Sequence, residues 1–407
     1  MLRTIVKSSI KLFVVFNRTN LSYYKKNNKY MRDNIFKIVS GKEFKQNNPK
    51  YIAYKFIGNN HKNFQYKLGI NANNELFIPK GSCNGGGLYF TDLQNIASHC
   101  VFGNKIATIK LLDDENIYIE DGKCKTNKFK IMSIEKANDF FEKISDSDKK
   151  KMILENLGIL NHINQTDELC KYAIEISNGE ALNYIKNQTD ELCKYAIEIS
   201  RGEALDYVNN QTYELCKLAI EISNGKALYY INDQIYELCK LAIEISCGEA
   251  LCCVQSQTPE LCEISINESD GHTLRYIEEQ TNKICKLAID KSNGYALKYI
   301  KNPTDELCEL AVRKNPYLIE FVQQQTPELC ELAIKADPYL IEFVQQQTPK
   351  LCEISINESN GHTLKYIKKQ TNEVCKLAID KSDGYALKYI KNPTDELRNY
   401  ASKYIKT

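Results

Sequence analysis

Cysteine and histidine are the residues whose chemistry and spacing stand out in this chain. Its 407 residues include 16 cysteines and five histidines. Ten of the cysteines recur at intervals of 22 or 23 residues: Cys170, Cys193, Cys216, Cys239, Cys262, Cys285, Cys308, Cys330, Cys352 and Cys375. Evenly spaced thiols can form disulfides, hold a metal ion or pack as small apolar side chains. The elements that carry the thiols decide between these roles.

These ten residues, the cysteine ladder, are predicted to be buried and reduced. Each follows Leu, Ile or Val on a predicted helix, where cysteine behaves as a small hydrophobic residue. Packed helices lie about 8–10 Å apart, whereas a disulfide needs Cα atoms within about 7 Å. The pattern therefore favours free thiols in a reducing, cytosol-like compartment. A metal or disulfide role is the alternative.

The remaining candidate ligands form no recognisable metal or catalytic set. Cys247, Cys252 and Cys253 lie outside the cysteine ladder, at a spacing that fits no zinc-binding pattern. His272 and His362 occupy matching positions in two nearly identical four-repeat segments, and both are predicted to be turn residues. We therefore predict no catalytic residue, no bound metal and no cofactor.

The cysteines belong to a longer repeated phrase, which first appears clearly at residues 166–188. Its register recurs at Thr189, Thr212, Ile235, Thr258, Thr281, Thr304, Thr326, Thr348, Thr371 and Thr394. The step is 23 residues, except for two consecutive steps of 22 that begin at Thr304. A short fixed period is the signature of stacked structural repeats.

Each repeat is predicted to be a helix–turn–helix unit. In the repeat that begins at Thr189, the threonine is a natural N-cap, and apolar residues follow at helical spacing. Gly202 ends the first helix, and a shorter second helix follows. Pro259, Pro327 and Pro349 each follow a capping threonine, at the first helical position, where proline is tolerated. The sequence therefore predicts an all-α helical-repeat solenoid of about eleven units of 22–23 residues.

Tyrosines recur in the predicted second helices: Tyr184, Tyr207, Tyr230, Tyr276 and Tyr299. Tyrosine combines a large apolar ring with a polar tip, so it suits both packing and recognition. Packing is the favoured interpretation, and a recognition stripe is the alternative.

Charge divides the chain into two modules. Residues 1–150 contain 26 Lys and Arg against 14 Asp and Glu, whereas residues 151–407 contain 28 against 38. An acidic array cannot neutralise phosphates broadly, so we expect no nucleic-acid partner. The sequence contains no run of 18 apolar residues, and we therefore expect no membrane span.

Three regions follow from these patterns. Residues 1–34 form a basic extension that is either disordered or a targeting segment, with Met31 as an alternative start. Residues 35–142 form a small α+β head module. Residues 143–407 form the α-solenoid, with degenerate units at both ends.

The head is predicted to be mostly strands, with one short helix at Asp92–Cys100. The predicted strands are Tyr51–Ile57, Glu75–Ile78, Leu88–Thr91, Lys105–Leu112 and Phe129–Ile134. Three successive glycines, Gly85–Gly87, could let a ligand or phosphate approach the backbone, but no Lys-Ser/Thr pair follows as in a P-loop. A flexible turn before a strand is the favoured interpretation.

Three motifs of the head resemble the N-terminal module of giant-virus repeat proteins of the mimivirus type. They are FQYKLGIN (Phe64–Asn71), GGLYFT (Gly86–Thr91) and KTNKFKI (Lys125–Ile131). Second helices such as ALKYIKN (Ala296–Asn302) are similar to short helical repeats that are frequent in those viruses. The resemblance implies a viral origin and this architecture, and it implies no particular activity.

A second resemblance implies an enzyme. The segment GGLYFTD (Gly86–Asp92) is similar to a stretch of the poly-ADP-ribosyltransferases, in which a histidine, a tyrosine and a glutamate hold and activate NAD. By this resemblance, Tyr89 would take the place of the family's tyrosine and His61 that of its histidine. The strand that would carry the glutamate, within Lys125–Ile134, has none. The resemblance therefore implies at most a degenerate head that binds NAD or a derived ligand.

Together these observations predict a soluble, monomeric scaffold protein without enzymatic activity. The array would present an extended acidic surface to a protein partner, host or viral, in the host cytoplasm or the virion. The alternative is the degenerate ADP-ribosyltransferase-like head, targeted by the solenoid.

Overall fold

The computed structural model describes residues 31, 33–58, 64–80 and 85–404, so nearly all of the predicted basic extension lies outside the described residues. The chain divides into two compact units, Met1–Asn210 and Gln211–Thr407. The first unit holds the head and the first repeats, and the second unit holds the remaining repeats.

Eight short strands form the head within the described residues: β1 Ile38–Ser40, β2 Ala53–Ile57, β3 Gly69–Ala72, β4 Leu88–Phe90, β5 Lys105–Lys110, β6 Asn116–Glu120, β7 Lys123–Thr126 and β8 Lys128–Lys136. They pair into two antiparallel sheets with the orders β1-β6-β7-β4 and β2-β5-β8-β3. A bridge between Tyr54 and Thr91 joins the two sheets. The head is therefore of mostly β character, as predicted, and its strands form two sheets.

Aromatic side chains fill the head core. Phe44 comes from helix α1 (Gly41–Asn47), Phe90 from β4 and Phe129 from β8, and all three are almost completely buried. The Tyr51 ring packs edge-on between Phe44 and Phe90, with ring centroids 5.1 and 6.4 Å away. Full burial of one such ring stabilises the fold by about 1.5–3 kcal/mol, so these rings hold the head together.

One of the predicted head strands is wrong. The segment Glu75–Ile78 forms no strand, because Leu76 is 84% exposed and Pro79 has no N–H to donate to a ladder. The segment instead lies along the glycine-rich turn, where the Ile78 N–H donates to the Gly86 carbonyl at 2.9 Å. The other four predicted strands correspond to β2, β4, β5 and β8.

The predicted head helix at Asp92–Cys100 is displaced and is a 3-10 helix at Ile96–Phe102. A second α-helix, Ala137–Glu142, follows the last strand. The first unit then contains three repeats, each an α-helix followed by a 3-10 helix: Asp146–Glu155 and Leu157–His162, Asp167–Ile176 and Glu180–Tyr184, Asp190–Ile199 and Glu203–Tyr207. The first of these pairs is the degenerate unit predicted for the start of the array.

The second unit continues the same pattern. Its first helices are Tyr213–Ile222, Tyr236–Ile245, Pro259–Glu268, Asn282–Lys291, Asp305–Lys314, Pro327–Ala336, Pro349–Glu358, Asn372–Lys381 and Asp395–Ala401. Its second helices are Lys226–Tyr230, Glu249–Cys253, His272–Tyr276, Tyr295–Tyr299, Pro316–Phe321, Pro338–Phe343, His362–Tyr366, Tyr385–Tyr389 and Ser402–Tyr404. The chain therefore has the predicted fold class, an α+β head followed by a helical-repeat solenoid, with second helices of the tighter 3-10 type.

The boundaries of the repeat helices follow from their cap residues. The Thr189 hydroxyl accepts the N–H of Leu192 at 3.3 Å, and the other capping threonines make the same bond. Ile235 has no hydroxyl and makes no such bond. At the other end, a Cβ on Gly225 would lie 2.7 Å from the carbonyl oxygen of Ala242 in the next repeat, so only glycine fits this turn.

The cysteine ladder is buried and its thiols are free, as predicted. Burial raises the pKa of the Cys170 and Cys193 thiols to about 11. These thiols are therefore protonated at neutral pH and act as small apolar side chains.

The head and the first repeat are joined by polar contacts within the first unit. The Ser98 hydroxyl donates to a Glu155 carboxylate oxygen at 2.6 Å, and a His162 ring nitrogen lies 3.0 Å from the Cys100 carbonyl oxygen. Burial raises the pKa of Glu155 to about 7, because the junction removes water from the carboxylate.

Candidate protein-binding surface

A glutamine precedes most of the capping threonines and links each repeat to the next. The Gln257 amide donates to the carbonyl oxygens of Leu251 at 3.3 Å and Tyr276 at 2.9 Å, and its own oxygen accepts the Glu278 N–H at 3.0 Å. Two of these contacts reach the following repeat. The bonds to the following repeat recur along a set that we term the glutamine ladder: Gln165, Gln188, Gln211, Gln234, Gln257, Gln280, Gln325, Gln347 and Gln370.

The glutamine ladder was not predicted from the sequence. Its signal was present, because glutamine recurs immediately before the capping residue in most repeats. Two repeats depart from it, since Pro303 and Pro393 stand at that position and proline carries no side-chain amide. Within each unit, the ladder links the backbones of the successive second helices that it joins.

In most second helices, the backbone carbonyl of one residue accepts a hydrogen bond from the glutamine ladder. The residue at this position is aromatic in nearly every repeat. The second unit therefore carries an aromatic row: Tyr230, Tyr276, Tyr299, Phe321, Phe343, Tyr366 and Tyr389. Cys253 interrupts the row, and the first unit carries Tyr184 and Tyr207 at the same position. Successive second helices of the second unit contact one another, so the positions of the row, including Cys253, follow one another along its surface.

Cations cover much of this row. The Arg275 guanidinium lies 4.7 Å from the centre of the Tyr276 ring and 5.9 Å from that of Tyr299 in the next repeat. The Lys365 ammonium lies 4.6 Å from the Tyr366 ring. Such cation–π contacts contribute about 0.5–1 kcal/mol at exposed sites. These tyrosines are half-buried, so they pack through one face and are covered by their own protein on the other.

The two 22-residue repeats differ from the 23-residue repeats, because their second helices expose four aromatic side chains. Tyr317 is 58% exposed, Phe321 48%, Tyr339 43% and Phe343 37%. The position before each phenylalanine is Glu320 or Glu342, where neighbouring repeats place a cation, and the two second helices contact each other. We call these four residues the aromatic patch. Contiguous exposed apolar surface of this kind marks interaction sites.

The backbone under the aromatic patch is rigid. Asn315 and Asp337 cap its two helices, and their side-chain oxygens accept the N–H of Tyr317 at 3.2 Å and of Tyr339 at 2.9 Å. Pro316 follows the first cap, and its ring fixes the first helical residue. The aromatic side chains are therefore displayed from a preorganised surface.

Charge separates the two faces of the repeats. The eleven first helices from Asp167–Ile176 to Asp395–Ala401 contain 25 Asp and Glu against 14 Lys and Arg. The second helices from Glu180–Tyr184 to Tyr385–Tyr389 contain six against five. The acidic excess of the array therefore lies on its first helices and not beside the aromatic row.

A groove in the first unit lies between the helix Ala137–Glu142 and the first repeats. Its volume is about 370 Å³, and its lining includes Asn138, Asn164, Asn187 and Lys186. The lining also includes Ile163 and Leu192, so the groove offers both hydrogen-bonding groups and apolar surface.

The candidate NAD residues lie in the head. Tyr89 is half-buried on β4, with the ammonium of Lys123 4.5 Å and that of Lys125 4.9 Å from its ring centre. Lys125 is fully buried and donates to the Ile78 carbonyl oxygen at 2.8 Å. His61 lies outside the described residues, so the pairing of Tyr89 with a histidine stays a prediction.

A third lysine contacts Tyr89, and the lysines of this region also affect His99. The Lys55 ammonium donates to the Tyr89 carbonyl oxygen at 2.9 Å, and burial, with Lys123 nearby, lowers the pKa of Lys55 to about 8. Burial and the same two lysines lower the pKa of His99 to about 4. The His99 imidazole is therefore neutral at physiological pH.

Two glycines directly before β4 allow other parts of the chain to pack closely against the backbone. A Cβ on Gly86 would lie 2.5 Å from the Leu76 carbonyl oxygen, and one on Gly87 would lie 2.4 Å from a side-chain carbon of Lys125. Both glycines have positive φ. Internal packing therefore accounts for these two residues, and a ligand is not needed to explain them.

The described part of the chain contains no group of three or more His, Cys, Asp or Glu residues arranged to hold a metal ion. In the same residues, no helix is both long and apolar enough to cross a bilayer. His272 and His362, predicted to be turn residues, each begin a 3-10 helix directly after a turn glycine.

Comparison with known proteins gives only distant likenesses. No protein-family model and no curated protein matches the chain. A designed armadillo repeat protein in complex with peptide (KR)4 is similar at 12% identity, over 65% of this chain and 95% of that one, with a TM-score of 0.09. An engineered protein is similar at 14% identity, over 62% and 97%, with a TM-score of 0.10. At such TM-scores the repeat class rests on the helices of this chain itself.

Proposed function

We propose that the array is a protein-binding scaffold and that a segment of a partner protein docks on the aromatic patch. The observation that carries the proposal is the exposure of four aromatic side chains on two adjacent, capped helices. Aromatic residues held on rigid backbone lose little entropy on binding and are enriched among the residues that dominate interface energies.

The size of the aromatic patch bounds the strength of the complex. An aromatic side chain buries about 150–250 Å², so four half-exposed rings offer on the order of 400 Å² of contact surface. At about 25 cal/mol per Å² this corresponds to ~10 kcal/mol before costs, and association itself costs about 4–15 kcal/mol. The patch alone therefore supports a weak complex, and neighbouring residues of the aromatic row must add to a tight one.

The acidic first helices suit a partner with basic flanking residues. Opposite charge raises the rate of encounter and aligns the two surfaces. The proposal is therefore a monomeric scaffold in a reducing, cytosol-like compartment that presents an extended acidic surface to a host or viral protein. Origin in a giant virus of the mimivirus type stays a prediction from the resemblance.

A random peptide library selected on the full chain tests the proposal. Selected peptides should bind the wild type at least tenfold more tightly than the variant Phe321→Gln/Phe343→Gln, which corresponds to about 1.4 kcal/mol. Tyr229→Gln is the matched control, because Tyr229 is 66% exposed on another second helix. Equal binding to all three proteins would overturn the proposal, and so would retention of an RNA homopolymer without any selected peptide.

A further inference from the structure

A pair of adjacent thiols occupies the one gap in the aromatic row. Cys253 stands where the other second helices of that row carry Tyr or Phe, and Cys252 precedes it. Cys252 is exposed and Cys253 is half-buried. Their sulfur atoms lie 3.6 Å apart, so the side chains point the same way from the helix Glu249–Cys253.

This pair differs chemically from the cysteine ladder. Burial raises the pKa of the ladder thiols, as at Cys262, where it reaches about 11. The contact with Cys253 lowers the pKa of Cys252 to about 7. A thiolate is the nucleophilic form of cysteine, so Cys252 is both more accessible and more easily ionised than the buried ladder thiols.

We propose that Cys252 and Cys253 form a peroxide-sensitive dithiol that closes reversibly to a vicinal disulfide. In the first step the Cys252 thiolate attacks one oxygen of hydrogen peroxide. An S–O bond forms, the O–O bond breaks, and the departing hydroxide takes a proton and leaves as water. The peroxide is reduced, and Cys252 is oxidised to a sulfenic acid.

In the second step the Cys253 sulfur attacks the sulfenic sulfur. The S–S bond forms, the S–O bond breaks, and the hydroxyl group leaves as a second water with the proton of the Cys253 thiol. One peroxide is consumed for each disulfide, and a dithiol reductant reverses the reaction.

Formation of the disulfide also disturbs the glutamine ladder. The sulfurs must approach from 3.6 Å to about 2.05 Å, and the ring so formed contains the peptide bond between the two residues. The backbone therefore leaves its 3-10 geometry. The Cys253 carbonyl accepts the Gln234 amide at 3.0 Å, and the Gln255 N–H donates to the same side chain at 2.9 Å. Oxidation thus breaks a link between two neighbouring repeats.

Peptide mapping of the full chain after hydrogen peroxide treatment tests the site. Free thiols are alkylated before digestion, and the peptide with both residues should lose two hydrogen atoms at least tenfold faster than any ladder cysteine is modified. A dithiol reductant should restore it. Cys252→Ser should abolish the reaction, and Cys253→Ser should stop it at a sulfenic acid that dimedone traps. Cys247→Ser, at an exposed cysteine of the same repeat, should leave it unchanged.

Hydrogen exchange tests the structural consequence. Oxidation of the wild type should raise exchange at the Gln255 amide, whereas in Gln234→Ala exchange should already be raised and change little on oxidation. The proposal is overturned if peroxide modifies the ladder cysteines as fast as this pair, or if Cys247 supplies one of the disulfide sulfurs. Unchanged exchange in the oxidised wild type would overturn the link to the glutamine ladder.

Discussion

The head and the array are stabilised by contacts of different kinds. In the head, each strand pairing occurs once, and most of the pairings join distant residues, such as Gly69 of β3 and Ile131 of β8. In the array, each contact recurs and joins residues about one repeat apart, as Gln257 does with Tyr276. Distant pairings require larger loops to close before they stabilise the fold, so the head depends on each of its contacts more than the array does.

The repeats also provide an internal comparison that the head lacks. When a contact recurs, the repeats that deviate show what the usual residue contributes. Ser265 stands where other repeats have a buried alanine, Gln325 belongs to a ladder that is absent at Pro303, and Ile235 replaces a capping threonine. The following substitutions test these differences, beginning with the largest expected effect.

Phe129→Ala should unfold the head selectively. Phe129 is fully buried on β8, and the loss of such a ring costs about 3–5 kcal/mol. The array should keep its helical circular dichroism while a separate transition for the head falls in temperature. Met132→Ala is the control, since Met132 is 51% exposed on the same strand. If both regions melt together at a lower temperature, the head and array are not independent.

Ser265→Ala should cost about 1–3 kcal/mol in denaturant unfolding. The buried Ser265 hydroxyl donates to the Gly248 carbonyl at 2.9 Å and lies 2.7 Å from the Thr273 hydroxyl, so its loss leaves buried polar atoms with fewer partners. The double variant Ser265→Ala/Thr273→Ala restores the alanine pair of other repeats and should be closer to wild type than the single variant. A double variant that loses the sum of both single effects contradicts this account.

Gln325→Ala should destabilise the array, and Gln324→Ala should not. Gln325 donates to Ile319 and Phe343 and accepts from Gln345, whereas its neighbour Gln324 is exposed. Loss of the glutamine side chain leaves these backbone groups unpaired, at about 1–3 kcal/mol, while an exposed substitution stays within about 0.5 kcal/mol. Unfolding free energies of the two variants measure the difference. Equal values would remove the glutamine ladder as a stabilising feature.

Ile235→Thr should stabilise the array by about 1 kcal/mol. The helix Tyr236–Ile245 makes no side-chain N-cap bond, whereas the neighbouring Thr212 and Thr258 accept an N–H of their helices. A higher midpoint of thermal unfolding would confirm the gain. Ile235→Val keeps the branched shape without the hydroxyl, so it should give no gain; a rise in both variants would assign the effect to something other than the cap.

The array could be predicted from the sequence almost residue by residue, because its signals recur. Threonine caps, turn glycines and prolines at the first helical position agree across the copies, so local errors cancel. The 3-10 type of the second helices was not predicted, since five residues between two turns do not distinguish one helix type from another. The glutamine ladder was missed because a glutamine before a cap resembles an ordinary turn residue.

The head could be predicted only in part, because its strands carry no repeated signal. Strand β7 (KCKT) looks like an exposed loop, yet Cys124, Lys125 and Thr126 are buried. The Asp121-Gly122 turn between β6 and β7 is typical of a β-hairpin, but this hairpin was not predicted. The aromatic patch was also missed, since sequence does not show that Phe321 is exposed whereas Tyr299, at the same position of the preceding repeat, is half-buried.

The glutamine ladder separates the framework of the array from the surface that it displays. Its amides bond to main-chain carbonyls, so Cys253, Phe343 and Tyr366 all accept the same bond although their side chains share no chemistry. The residue at this position can therefore be exchanged without rebuilding the contact between repeats. Copying a repeat and then changing that single residue would give the protein a new specificity on an old frame.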